Sequence, residues 1–156
     1  MIEVSLTKAL REFIATAVKD FRLPVEKGES RAPQVLNGEL PPKQYVEPNQ
    51  SERKDDFPFV VVRPEGAVTE REKTEVNVSI IIGCYTKEFD GHDYCLNVMS
   101  KIRNALVSME NGTLNEKYIL QFPIEWDNLP QHPWPQWQII MTTRWVFNTP
   151  QAITNF

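Results

Sequence analysis

The side chains best suited to acid–base or nucleophilic chemistry are few and widely spread. His92 and His132 are the two histidines of the chain, and His92 lies three residues before Cys95. That spacing suggests either a metal site or a Cys–His nucleophile. Cys95, however, belongs to an apolar helical stripe, whereas His92 falls in the first turn of the same predicted helix. We therefore predict a buried core cysteine beside an exposed histidine, and His132 has no second ligand nearby in the sequence.

Paired carboxylates occur twice, at Asp55–Asp56 and at Glu70 and Glu72. Carboxylates on loops lack the apolar enclosure that general acid catalysis requires, so we predict that these side chains are solvated. The sequence brings no nucleophile, base and orienting group together. We therefore predict a protein that is not an enzyme, with no catalytic residue, no cofactor and no metal ion.

Aromatic residues crowd the end of the chain and form its most distinctive local feature. They are Trp126, Trp134, Trp137, Trp145 and Phe147. Such side chains stack on bases or sugars, anchor protein interfaces or fill a core. All of them except Trp134 follow the alternation of a predicted strand, which favours core packing. Trp134 stands between two prolines in a turn, so we predict that it is a contact residue.

Two helices and four strands are predicted to position these residues. Apolar residues recur at the helical period and predict a first helix that begins at Ser5, or as early as Ile2, and ends at Pro24. A second apolar stripe predicts a helix over 91–110. A turn is predicted at Pro64–Gly66. Alternating apolar residues predict strands over 57–63, 73–86, 117–126 and 136–147.

Residues 23–56 show neither the helical nor the strand period and are rich in proline and charge. A connection of this length in a compact domain is usually functional or disordered. We predict a long proline-rich surface loop, or an arm that orders on a partner. Its apolar anchors would be Val35, Leu36, Tyr45 and Val46.

The predicted fold class is α+β, and the whole chain, 1–156, is predicted to form a single domain. The order α-β-β-α-β-β predicts a four-stranded, mainly antiparallel sheet with both helices packed on one face. The other face then carries Ile81, Tyr85, Ile140 and Val146, which is more apolar surface than a monomer normally exposes. That surplus indicates oligomerisation through a sheet face or edge.

Composition argues against several classes of function. The 156 residues carry a net charge of −4 and no basic stripe, which disfavours sequence-independent DNA binding. No apolar run approaches the ~20 residues that span a bilayer, and the N-terminus lacks a secretory signal pattern. Phosphate-loop, dinucleotide, serine-elbow and His–Glu metal motifs are missing from the sequence. With Cys84 and Cys95 as the two cysteines, we expect reduced thiols in a cytosolic setting.

Five segments carry a resemblance to a known family through their order and spacing. They are Asp56–Gly66, Val78–Tyr85, Ile102–Leu106, Pro133–Trp137 and Met141–Trp145. Together they resemble small head-to-tail joining and minor tail proteins of tailed phages and prophages of Gram-positive bacteria, similar to the tail terminator group. The resemblance covers residues 57–150, and no segment in it is a catalytic signature.

The resemblance implies a virion structural protein that forms a ring, commonly a hexamer, at the head–tail junction. Such a ring caps the tail tube, stops its polymerisation and provides the surface for a head-connector or head-completion protein. It would assemble in the host cytoplasm, without a membrane. DNA would pass through the lumen without specific binding, which suits an acidic chain because positive charge would bind phosphate.

The predicted partner interface combines the long loop, the connection between the first two strands and the last turn. Its residues are Tyr45, Val46, Arg53, Glu65, Arg71 and Trp134. Two alternatives stay open at this point. One is a head-completion or connector protein of the same junction, and the other is a small binding module that uses its aromatic loop for nucleic acid or sugar.

Overall fold

The computed structural model describes residues 2–40, 56–129 and 134–149. In these ranges the chain forms two 17-residue α-helices, six strands and a short 3-10 turn at Glu110–Gly112. In chain order the helices and strands are α1 (Ile2–Val18), β1 (Gln34–Asn37), β2 (Phe59–Thr69), β3 (Lys73–Tyr85), α2 (Gly91–Val107), β4 (Thr113–Leu114), β5 (Tyr118–Asn128) and β6 (Gln136–Asn148). No helix within the described ranges has the length and apolar content that crossing a membrane requires.

The strands form one curled, mixed sheet in the order β1-β2-β3-β6-β5-β4. β1 runs parallel to β2, and every other pairing is antiparallel. The prediction of a four-stranded sheet with the order α-β-β-α-β-β is therefore wrong. The two extra strands have four and two residues, and such short segments do not show the alternation by which a strand is predicted.

The predicted loop at 23–56 is ordered over part of its length. Leu23 and Arg31 form a β-bridge, and β1 follows with its residues in register with Phe59–Val62. The Gly38 N–H extends this pairing by donating to the Val62 carbonyl at 2.8 Å. Residues 41–55 of the predicted loop lie outside the described residues.

The main core lies between the two helices and one face of the sheet. Alternate residues of β3, from Val76 to Cys84, point into it together with Val60 and Val62 of β2. From the helices, Leu6, Leu10, Ile14, Val98, Ile102 and Leu106 pack against this face with no solvent exposure. The helical periodicity thus predicted the buried stripe of each helix correctly, although α1 ends at Val18 and α2 at Val107.

A second, smaller cluster covers part of the opposite sheet face. Phe57, Phe59 and Val61 pack around Ile81, with Tyr85, Ile140, Leu36, Leu40 and Leu129 at its border. Gly83 makes room for it, because a Cβ there would lie 2.2 Å from the Phe59 ring. Ile81 is therefore buried within the chain itself, not left as an exposed surface.

Two irregularities accompany the curl of the sheet. The register between β2 and β3 shifts at Pro64–Gly66, where a turn was predicted, and β2 instead continues to Thr69. A larger shift lies in β5 between Gln121 and Glu125. Such bulges bend a strand and increase its twist. Because Phe122 lies in the second bulge, it is exposed, and the prediction of one continuous apolar face along β5 is wrong.

The buried Thr143 hydroxyl forms two hydrogen bonds, and these bonds allow a test of how the core is held together. Its hydroxyl donates to the Val78 carbonyl and accepts from the Trp145 indole N–H, both at 2.9 Å. Thr143→Val keeps the shape but leaves the indole donor unsatisfied, and we expect it to destabilise the fold by about 1–3 kcal/mol in urea unfolding. The neighbouring exposed Thr142→Val is the control and should change stability by less than about 0.5 kcal/mol. Equal effects of the two substitutions would contradict this role of the two hydrogen bonds.

Candidate functional site

The structure does not bring the described members of the predicted interface, Glu65, Arg71 and Trp134, together. Glu65 and Arg71 belong to the β2–β3 hairpin, whereas Trp134 precedes β6, which begins opposite Tyr85 at the other end of β3. The remaining predicted interface residues lie outside the described residues: Tyr45, Val46 and Arg53. The described residues of the predicted interface therefore lie in two separate places: the β2–β3 hairpin and the end of the sheet where β6 begins.

The hairpin is held to the rest of the sheet by polar contacts near Glu65. The Glu65 carboxylate lies 3.9 Å from the Arg63 guanidinium, and the Arg63 Nε–H donates to the Gly38 carbonyl at 2.6 Å. At its tip, the Glu70 N–H donates to the Lys73 carbonyl at 2.7 Å. Arg71 is exposed in this tip. Side chains of both charges are thus presented at the tip of the β2–β3 hairpin, where β3 also pairs with β6.

Four side chains lie on segments that meet at one end of the sheet, and we call this group the aromatic end: Phe89, His92, Trp126 and Trp134. Phe89 is 88% exposed, Trp134 55% and Trp126 40%. The rings of His92 and Trp126 lie 6.3 Å apart, and His92 Nε2 lies 2.5 Å from the Asn128 side-chain oxygen. The first turn of α2 is thereby joined to the end of β5.

Trp137 fixes the backbone on which the aromatic end is carried. Its indole N–H donates to the Thr86 carbonyl at 3.1 Å, and the Thr86 N–H donates to the Pro135 carbonyl at 3.1 Å. Gly91 lets the ring lie against the start of α2, since a Cβ there would come within 2.2 Å of it. One partly buried indole thus links the loop after β3, the start of α2 and the start of β6.

Acidic side chains lie beside Phe89 and at the start of α2. Glu88 and Asp90 flank Phe89, and Asp93 lies in the first turn of α2, whereas Asp127 shares the opposite sheet face with Ile140. Lys87 is the basic residue of the same loop. The Asp90 carboxylate, together with burial, Glu88 and Cys84, raises the pKa of the Tyr94 phenol above its usual value. The loop after β3 and the first turn of α2 therefore carry more acidic than basic side chains.

The aromatic predictions have mixed outcomes. Trp145 and Phe147 are buried, as predicted, and Trp137 is partly buried against the core. The prediction that Trp126 packs in the core is wrong: it pairs with Met141 in β6, but at the margin of the sheet, where it borders His92. Trp134 is exposed, and its role as a contact residue stays a prediction.

Sequence reasoning missed Phe89 and His92 as members of this surface. Phe89 lies between charged residues in the loop after β3, and a large apolar side chain in such a loop is a signal that the sequence does contain. The sequence spacing relates His92 to Cys95 as a possible reactive pair. In the structure, the contacts of His92 are with β5. Only the sheet order places β5 beside the start of α2.

The two cysteines are buried, as predicted for Cys95, and both are free thiols. The Cys95 thiol donates to the Trp137 carbonyl at 3.3 Å. A side-chain hydrogen bond with Cys95, burial and the charge of Cys95 raise the pKa of the Cys84 thiol far above its usual value. Across the described ranges, no three His, Cys, Asp or Glu side chains come together as a metal site would require.

Comparison with known proteins identifies no relative: neither a protein-family model nor a curated protein matches this sequence.

Gly91 gives a direct test of how the aromatic end is built. Gly91→Ala forces the Trp137 ring away from the Thr86 carbonyl, so we expect a loss of about 1–3 kcal/mol of stability and a shift of tryptophan emission. Gly66→Ala is the matched control, because a Cβ at Gly66 meets nothing within 4 Å. Equal stability and emission in the two variants would show that Trp137 does not hold this end in place.

Proposed function

We propose that this chain is a virion structural protein, a tail terminator whose copies join in a ring, cap the tail tube and provide the surface for a head-connector protein. The observation that most supports this proposal is that the curled sheet has two different edges that are only partly covered. A protein that assembles by repeating itself around an axis requires two such non-identical surfaces.

The first edge belongs to β2. β1 covers it over Phe59–Val62, and no strand in residues 2–40, 56–129 and 134–149 pairs with the outer side of Pro64–Thr69. Val68, on this stretch, is 63% exposed. An exposed strand edge offers a row of N–H and C=O groups to another chain.

The second edge belongs to β5. β4 pairs with Tyr118 and Ile119 alone, which leaves the outer side of the rest of β5 without a partner strand among the described residues. The bulge in this stretch is held in place, because the Arg144 guanidinium donates to the Phe122 carbonyl at 2.8 Å and to Glu75 at 3.4 Å. Phe122 itself is 61% exposed.

Pairing of the β2 edge of one copy with the β5 edge of the next would be heterologous, and such an interface gives a ring when the rotation closes. Proline lacks an N–H donor, so Pro64 and Pro123 limit where such pairing begins. We therefore place it in residues 66–69 and 124–128. The net charge of −4 suits a lumen through which DNA slides, because it does not bind phosphate.

The functional experiment is a tube-capping assay. The purified protein is mixed with polymerising tail tube protein, and tube lengths and ends are recorded by negative-stain electron microscopy. We expect short tubes whose ends carry a ring. Long, uncapped tubes would contradict the proposal, and rings that bind the portal but not the tube would instead support a head-completion protein.

Substitutions at the two edges should abolish assembly without unfolding the protein. We expect Val68→Glu, within the β2 stretch, and Phe122→Ser, in the bulge directly before the β5 stretch, each to remove about 1.5–3 kcal/mol of apolar burial from every interface and to release monomers in light scattering. Val107→Glu, on an exposed position of α2, is the control and should assemble as the unmodified chain does. Rings that survive both edge substitutions would show that the edges are not the interface.

A further inference from the structure

We propose that the aromatic end, formed by Phe89, His92, Trp126 and Trp134, is a docking site for an extended, cationic protein segment that presents lysine or arginine side chains. This inference goes beyond ring formation and does not depend on it. It uses the end of the sheet where the loop after β3, the start of α2, the end of β5 and the start of β6 meet.

The exposed aromatic area is the first reason. Three aromatic side chains at one end of the sheet keep large parts of their surface in water: Phe89 and Trp134 more than half, and Trp126 less than half. Isolated apolar side chains are normal on a protein surface, but a group of large ones marks an interaction site. Tryptophan and tyrosine rings are also the side chains that most often anchor protein interfaces.

The second reason is that the support beneath these rings is already in place. Trp137 joins Thr86 to the start of α2, and Thr86 holds Pro135, the residue next to Trp134. His92 contacts both Asn128 and Trp126, which fixes the other side of the surface. A preformed surface loses little conformational entropy when a partner binds.

Charge selects the class of partner. Three carboxylates, those of Glu88, Asp90 and Asp93, lie in the loop after β3 and the first turn of α2, and the same segment carries the ammonium of Lys87. The phosphates of a nucleic acid would be repelled by these carboxylates. A bound lysine or arginine side chain is stabilised by two attractions. The face of an indole ring attracts the cation, and the carboxylates attract it as well. A bound neutral sugar would be stabilised only by stacking on the aromatic rings.

The test is a titration of the full chain, by calorimetry at low salt, with a lysine–glycine repeat peptide. A glutamate–glycine peptide of equal length, an oligothymidylate and a glucose oligosaccharide are titrated in parallel. We expect the lysine peptide alone to bind. Trp126→Ala and Trp134→Ala should each weaken binding about two- to fivefold, since each removes one exposed cation–π contact. The double charge variant Glu88→Gln with Asp93→Asn should weaken it as well.

Phe122→Ala is the matched control, because it removes an aromatic side chain of similar exposure from the β5 edge and not from the aromatic end. It should leave peptide affinity unchanged even if it disrupts ring formation. Loss of ring assembly can therefore be distinguished from loss of peptide binding. The proposal is overturned if the lysine peptide does not bind. It is equally overturned if Trp126→Ala and Trp134→Ala bind the peptide as the unmodified chain does, or if another probe binds as tightly. Thermal unfolding of each variant verifies that it is folded.

Discussion

The register of strand β3 is the constraint on which the rest of the molecule depends. All of β3 pairs with β6, from Lys73 opposite Asn148 to Tyr85 opposite Gln136, and its other side pairs with most of β2. Ile80 and Ile82 face the helices while Ile81 faces the second cluster. A slip of one residue would exchange these faces, exposing the main core and burying polar side chains. Packing in the main core and packing in the second cluster therefore both require the same register of β3.

The two candidate surfaces are consequences of that register. Because β2 and β5 are longer than the short strands β1 and β4 that cover them, parts of both outer edges extend past their neighbours. At the end where β3 stops and β6 starts, the chain must turn into α2, and Trp137 fixes that turn through Thr86. The sheet edges suit a second copy of the chain, whereas the aromatic end suits a different, basic partner. The two surfaces meet at Trp126, which belongs to the aromatic end and lies in the 124–128 stretch of the β5 edge.

Sequence reasoning succeeded where a long periodic segment determines its own structure. Both helices and the four long strands are present because their apolar spacing has a clear period, although α1 ends at Val18 instead of Pro24 and β2 continues past its predicted end to Thr69. It failed where contacts distant in sequence decide the outcome. β1 exists because β2 is beside it, and the bulge around Phe122 depends on Arg144. Trp126 is exposed because of its place in the sheet order, which its alternation does not reveal.

The central claim is that two different sheet edges join copies of this chain, and hydrogen exchange measured by mass spectrometry tests it most directly. The assembled protein is compared with the same protein diluted to monomers. The account predicts that amide exchange slows on assembly in residues 66–69 and in residues 124–128 together, since each edge would pair with the other. Protection of one edge alone would indicate an isologous dimer, and protection of neither would show that copies do not join through the sheet. Either result contradicts the account.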